Sequence, residues 1–385
     1  MRFQPRVVPA AFLVLVACLA LTPFVSEAQI VTLPPSGENQ RASVSQWIGP
    51  VEVNVTYSSP KVTAPDGTDR KGKIWGQLVP YGMAKEVFGT CGDQCPWRAG
   101  ANEKTAFRIS HDVLIEGKPL PAGTYGLHMI PGPEKWTIIF SKDATSWGSY
   151  SYKASEDALR VDVTPLKGEY HHWLTYEFTE RKPDRATVAL AWENLQVPWS
   201  VSVPNVTDLY VDILRRELRG PKGFNWEGWQ EAAKFCVERK TNLKEALTWA
   251  ENGVSLRFIG QENFFTLQTL ADLQRANGLT ADSEITMQKA IDLPGTRPVD
   301  IHQYGRSLLL QGEKEKALKV FETNARKNPG VWPVHVGLAR GYASVGRTKE
   351  ALKHAKLALA QAPDDLNRKG LQTMVENLEA GKPVK

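Results

Sequence analysis

Gly278, Gly312 and Gly346 stand 34 residues apart, and Ala317/Ala351 and Pro329/Pro363 keep the same interval. A fixed period of that length means one supersecondary unit copied along the chain, and few architectures accept it. Glycine in mid-period splits each copy into two helices, small residues let neighbouring copies approach, and proline closes the copy. The best copy runs from Trp332 to Pro363, with Leu338, Tyr342, Gly346, Ala351, Ala355 and Ala358 in step. The one before it offers Tyr304, Gly305, Gly312, Ala317 and Phe321. An earlier one begins at Phe264, with Leu270, Ala271, Gly278 and Ala290, and its closing Pro294 falls one residue early. Trp226 to Gly253 makes a degenerate pair, and the stretch 364–378 reads as the cap of the stack.

This pattern resembles the tetratricopeptide repeat. Each helical pair cannot bury its apolar face alone, so stacking builds a short α-solenoid whose inner surface is lined by the first helix of every pair. The register puts Phe265, Gln268, Asp272 and Arg275, then His302 and Arg306, then Val336 and Arg340 on that lining. Arg306 and Arg340 are one period apart and stack along one groove. Arg275, His302, Arg306 and Arg340 are therefore the candidate partner-binding residues, suited to a carboxylate-bearing peptide or an acidic tail. Pairing of both arginines with neighbouring acids, holding the stack together, is the structural alternative.

The preceding region alternates short apolar runs with Gly and Pro punctuation. Val51, Val53, Val55 and Tyr57 alternate, as do Phe107, Ile109, Val113 and Ile115, then Tyr125, Leu127 and Met129, then Trp136, Ile138 and Phe140. Further runs lie at 159–163, 170–178 and 186–192. Strands at such spacing, with turn signals between them, predict an antiparallel β-sandwich. Asn205-Val-Thr-Asp208 is the expected cap of a connecting helix over about 209–219. The expected layout is thus two-domain β + α: signal peptide 1–28, sandwich 29–204, repeats 205–385.

Several words inside the β region carry a resemblance. They are Arg41-Ala-Ser-Val-Ser-Gln46, Tyr57-Ser-Ser-Pro60, Ile74-Trp-Gly-Gln-Leu-Val-Pro-Tyr-Gly82, Trp97-Arg-Ala-Gly-Ala-Asn-Glu-Lys-Thr105, Gly117-Lys-Pro-Leu-Pro-Ala-Gly-Thr-Tyr-Gly126 and Val188-Ala-Leu-Ala-Trp-Glu193. Over about residues 40–203 they resemble an exported bacterial family known as domain of unknown function 2911. Most are turn and spacing residues, so the resemblance implies a fold rather than a reaction. Residues 83–96 are an insertion relative to that family, and they bring Cys91 and Cys95 with them.

Candidate chemistry in the β region centres on Tyr81, Trp97, Arg98, Asn102 and Glu103, a cation, an amide and a carboxylate beside glycines. Such a loop could stage acid–base chemistry on a carbohydrate or ester, or grip an oxyanion. The alternative is that Arg98 pairs with Glu103 while Asn102 caps a turn. Eight of the twelve tryptophans fall here, and carbohydrate stacking is the ligand chemistry they suggest. Trp136, in step with Ile138 and Phe140, reads as core instead. His171 and His172 point to opposite faces of one strand, and His172, in step with Leu174, Tyr176 and Phe178, reads as a core or semi-core histidine. His111 and His128 have no metal-ligand spacing, so neither metal nor cofactor is expected.

Arg2 and Arg6 precede an apolar run from Val7 to Val25 and then Ser26-Glu-Ala28, the form of a cleavable secretory leader. Leu15-Val-Ala-Cys18 also fits a lipoprotein box, though apolar residues follow the cysteine. The run is short for a membrane span, and no other segment is apolar enough. The formal net charge of +5 comes from the helical half, with 27 Lys/Arg against 22 Asp/Glu over 205–385. That surplus does not call for nucleic acid. In an exported chain Cys91 and Cys95 are expected to form a disulfide, and Cys236, among apolar residues at helical spacing, an inert core thiol. The leading expectation is an exported, non-catalytic binding or scaffold protein whose repeats dock a peptide or an envelope protein. A hydrolase with its site near Trp97–Glu103 is second.

Overall fold

The computed structural model describes residues 35–384. The leader and Cys18 lie outside the described residues. Among the described residues ten strands come first, in two sheets: β1 Gln40–Ile48, β2 Val51–Ser59, β3 Thr105–Ile109, β4 Val113–Ile115, β5 Lys118–Leu120, β6 Gly123–Ile130, β7 Trp136–Ser141, β8 Asp157–Val163, β9 Leu166–Lys182 and β10 Arg185–Ser202. The first sheet has the order β1-β2-β3-β6-β7-β8 and the second β5-β4-β10-β9. Pairing is antiparallel along β2-β3-β6-β7-β8 and between β4 and β5. The run Phe107–Ile115 is two strands rather than one. It breaks at Ser110-His-Asp112, and the halves enter different sheets.

Alternation fixes which side chains turn inward. In β2, Val51, Val53 and Val55 are buried while Glu52, Asn54 and Thr56 are not. Trp136, Ile138 and Phe140 fill core as their spacing requires. The sheets meet through aromatic edges. Tyr57 of the first sheet lies 4.8 Å, centroid to centroid, from Tyr176 of the second. Trp75 sits edge-on to Trp97, Trp136 and Trp192 at 5.1–5.7 Å. His172 is a correction: it is exposed, and the inward face of β9 begins only at Leu174. The strand extends past the sheet core at that end, so its periodicity outlasts its burial.

Among the described residues ten α-helices follow. They are α1 Val206–Glu217, α2 Trp226–Arg239, α3 Leu243–Ser255, α4 Phe264–Ala276, α5 Thr280–Asp292, α6 Pro298–Leu310, α7 Lys314–Lys327, α8 Trp332–Ser344, α9 Thr348–Ala360 and α10 Asp365–Glu379. The helix expected from 209 starts three residues earlier. Asn205 is left-handed and offers no side-chain cap, so Val206 already has helical geometry. By internal contacts the described chain divides into a β unit, 35–46, 52–181 and 186–201, and a helical unit, 47–51, 182–185 and 202–384.

The 34-residue period has a backbone cause. Gly278, Gly312 and Gly346 each follow the first helix of a pair with φ of +80° to +83°, and a Cβ there would meet nothing. Glycine is required by conformation, not by space. Elsewhere space decides. Phe321, fully buried on α7, lies in a slot between Gly305 of α6 and Gly337 and Gly341 of α8. A Cβ at those glycines would come within 2.4–2.8 Å of its ring. Ala351, Ala355 and Ala358 of α9 are likewise fully buried at the next interface.

Candidate functional site

Two first helices of successive repeats, α6 and α8, line a cleft of about 550 Å³ together with α10. His302 and Arg306 enter from α6, and Trp332, Val336 and Arg340 from α8. Asn367, Leu371, Met374 and Asn377 of α10 form the far wall, and Pro383 and Val384 close one end. No Asp or Glu lines it among the described residues.

Electrostatics of the cleft follow from burial. Arg306 is exposed, whereas Arg340 is half-buried. Burial, then the nearby Arg306 guanidinium, lowers the Arg340 pKa below its ordinary value. His302 is buried with its ring 5.7 Å from that of Phe321. Burial, then Arg340 and Arg306, lower its pKa to about 4, so it is neutral at physiological pH. Its Nδ1 is buried with no hydrogen-bond partner among the described residues. Chemically the cleft offers two guanidinium groups over an apolar floor, which suits an extended segment bearing carboxylates.

Three of the four residues read as partner-binding come together here, and the fourth does not. Arg275 binds Glu313 at 3.3 Å and touches Tyr304, on the wall of a separate, smaller cavity. Asp272, on the same lining face, is half-buried. Desolvation raises its pKa to about 6 although Arg275 opposes the shift. The contribution of α10 is what sequence reasoning missed. Its amphipathic pattern was legible, but a capping helix and a groove wall have the same pattern.

In the β unit the predicted loop is only partly a site. Trp97 and Arg98 line a cavity of about 330 Å³ with Trp192, Leu78, Val79, Glu86 and Ser149. Tyr81 packs against Gly76 instead, with its ring 2.7 Å from where a Cβ would stand. Asn102, at φ +53°, donates to the Ser36 carbonyl and accepts from Asn39. Glu103 accepts from Ser58 at 2.7 Å, which holds its carboxyl below the ordinary range. The expected Arg98–Glu103 pair does not form. Arg98 donates to the Asn102 carbonyl at 2.8 Å and lies over the Tyr150 ring at 4.8 Å.

Ser149 of this lining belongs to a polar group of four. Lys104, with its side chain 2% exposed, binds Asp143 at 2.7 Å. His128 Nδ1 shares a hydrogen bond of 2.8 Å with Ser149 Oγ, and burial, then Lys104, lower the histidine to about 3. Neutral and fully buried, this imidazole supports the wall. His111 bonds its neighbour Ser110, and the described residues hold no cluster of three or more metal-ligating side chains. Cys91 and Cys95 form a disulfide, and Cys236 is a buried free thiol whose pKa desolvation raises to about 11.

Residues 39–201 match a family model described as protein of unknown function DUF2911. None of the curated proteins matches the chain in sequence. Similar solved structures include MamA, at 18% identity over 39% of this chain and 85% of that one, with a TM-score of 0.28. Another is YrrB, described as a TPR protein with an unusual peptide-binding site, at 19% identity over 43% and 83% and a TM-score of 0.28. A third is a tetratricopeptide repeat protein from Parabacteroides merdae, at 16% identity over 44% and 68% and a TM-score of 0.29. The stretch matched by the family model covers the two sheets, and the paired helices follow it. No described helix is long and apolar enough to cross a membrane.

Proposed function

We propose that this chain is an exported binding scaffold whose repeat groove docks an extended peptide or envelope-protein segment carrying carboxylates. The observation that carries this is the cleft between α6, α8 and α10, whose lining includes Arg306 and Arg340 and, among the described residues, no Asp or Glu. Two guanidinium groups brought together at the cost of mutual repulsion are stabilised when a carboxylate is placed between them. Exposed Val299 and Leu366 on the same lining supply apolar area that a charged groove alone lacks. Export is supported by the leader pattern of residues 1–28 and by the Cys91–Cys95 disulfide, which persists in oxidising compartments.

The test is fluorescence anisotropy of the full chain with an acidic decapeptide ending in a free carboxylate, against amidated and lysine-substituted versions. Arg306→Ala with Arg340→Ala should weaken the acidic peptide at least tenfold. Equal binding by wild type and double variant would remove the groove from consideration.

A further inference from the structure

The cavity of the β unit holds a charge pattern that the repeat groove lacks. Its walls are apolar, with Trp97, Trp192, Leu78 and Val79. At about 330 Å³ it lies at the small end of ligand pockets, which run from roughly 300 to 1,000 Å³. Arg98 and Glu86 both line it, yet neither forms an ion pair with any described residue. Arg70, the other cation on the wall, gives two of its nitrogens to the carbonyls of Val62 and Lys61, whereas Arg98 gives one to the Asn102 carbonyl.

One segment holds both of these charges in place. The Tyr150 ring lies under the Arg98 guanidinium, and the Tyr150 carbonyl accepts from Thr90 and Cys91. Those amides belong to the disulfide loop that carries Glu86, itself tied by its amide to the Gly92 carbonyl. Gly148 completes the cradle. It has φ +54°, and a Cβ there would come within 2.5 Å of the Arg98 guanidinium. Glycine at this point leaves the arginine its position against Tyr150.

We infer that this cavity binds a small zwitterion, a free α-amino acid with an apolar side chain. Arg98 takes the carboxylate, Glu86 takes the ammonium, and the Trp97/Trp192 walls receive the side chain. A cation and an anion too far apart to pair, in one aromatic cavity, are satisfied together by a ligand that carries both charges. The inference is independent of what the repeat groove binds.

Isothermal titration of the full chain with leucine, leucinamide, N-acetyl-leucine and Leu-Leu dipeptide tests it. Leucine should bind at least tenfold more tightly than leucinamide, which lacks the carboxylate, or N-acetyl-leucine, which lacks the cation. The dipeptide, with its charges further apart, should bind more weakly than leucine. Arg98→Gln should erase the preference over leucinamide, and Glu86→Gln that over N-acetyl-leucine. Gly148→Ala, which changes no charge, should weaken leucine at least tenfold while tryptophan fluorescence reports an intact fold. N-acetyl-leucine matching leucine would replace the zwitterion site with a simple carboxylate site. A dipeptide matching leucine would mean a peptide terminus is the ligand. No heat from any of the four, or leucine binding unchanged in Arg98→Gln and Glu86→Gln, overturns the inference.

Discussion

Buried charge is treated in opposite ways in the two units. In the β unit Lys104 is inside the protein and its ammonium meets Asp143 at 2.7 Å, with Ser146 completing the carboxylate. In the helical unit Arg340 is withdrawn from water beside another guanidinium, that of Arg306. Sheets whose inward aromatic rings meet leave little room for a charge, and one taken inside must bring its partner with it. A solenoid repeats one face along its length without covering it, so that like charges one period apart end up side by side. The difference teaches where to look for binding: the buried ammonium of the β unit meets its carboxylate, whereas the repeat cleft sets two guanidinium groups on a lining without Asp or Glu among the described residues.

The largest expected effect probes the repeat stack itself. Phe321→Ala empties the slot made by Gly305, Gly337 and Gly341, whose backbones cannot collapse into it. A loss of about 3–5 kcal/mol is expected in chemical denaturation followed by helical signal. Next comes the paired charge. Burial pushes the Asp143 carboxyl up, but Lys104, Ser146 and nearby amides outweigh it and hold it well below the ordinary carboxylate value. Lys104→Met should cost about 3 kcal/mol, because it strands that carboxylate. A depressed folded pKa means that the wild-type contribution is complete above the unfolded value of about 3.9 and falls away as pH drops below it. An unchanged acid-unfolding midpoint in Lys104→Met would show that the pair is not what holds this cavity wall.

Asp272 carries the opposite sign. Its folded value of about 6 lies above the unfolded one, so the folded state disfavours its charge and loses stability as pH rises between them. Asp272→Asn should therefore stabilise the helical unit at pH 8, by at most about 3 kcal/mol, and not at pH 4. Thermal melts at the two pH values check the sign. Replacing Cys91 and Cys95 by serine should cost about 2 kcal/mol, since the loop closed is short. It should also weaken leucine binding, because Glu86 rides on that loop. The smallest effect on stability belongs to Arg306→Ala. Arg306 is exposed, so melting should stay within about 0.5 kcal/mol of wild type or rise, since the repulsion with Arg340 is removed. A large destabilisation would make Arg306 part of the stack's own architecture and erase the contrast between the units.

The helical pairs were legible almost to the residue, because a period set by left-handed glycines and buried alanines is local information. Strand positions were legible from alternation, and the disulfide from cysteine spacing and the expectation of export. His172 was misread because alternation reports which face a residue occupies, not how far along a strand the neighbouring sheet extends. Arg275 was placed with Arg306 and Arg340 by the same register argument. Register is blind to Glu313, which arrives from the turn before α7.

The sequence by itself determined the repeat length, the identity of the small residues at each interface, and the cysteine pair, all of which depend on chain neighbours. Tertiary structure alone decided which charges meet. Glu86 and Arg98 share a cavity because Tyr150, more than fifty residues from either, holds the loop of one and the side chain of the other. Contacts between residues so distant in sequence depend on how strands order within sheets, and no periodicity along the chain encodes that order.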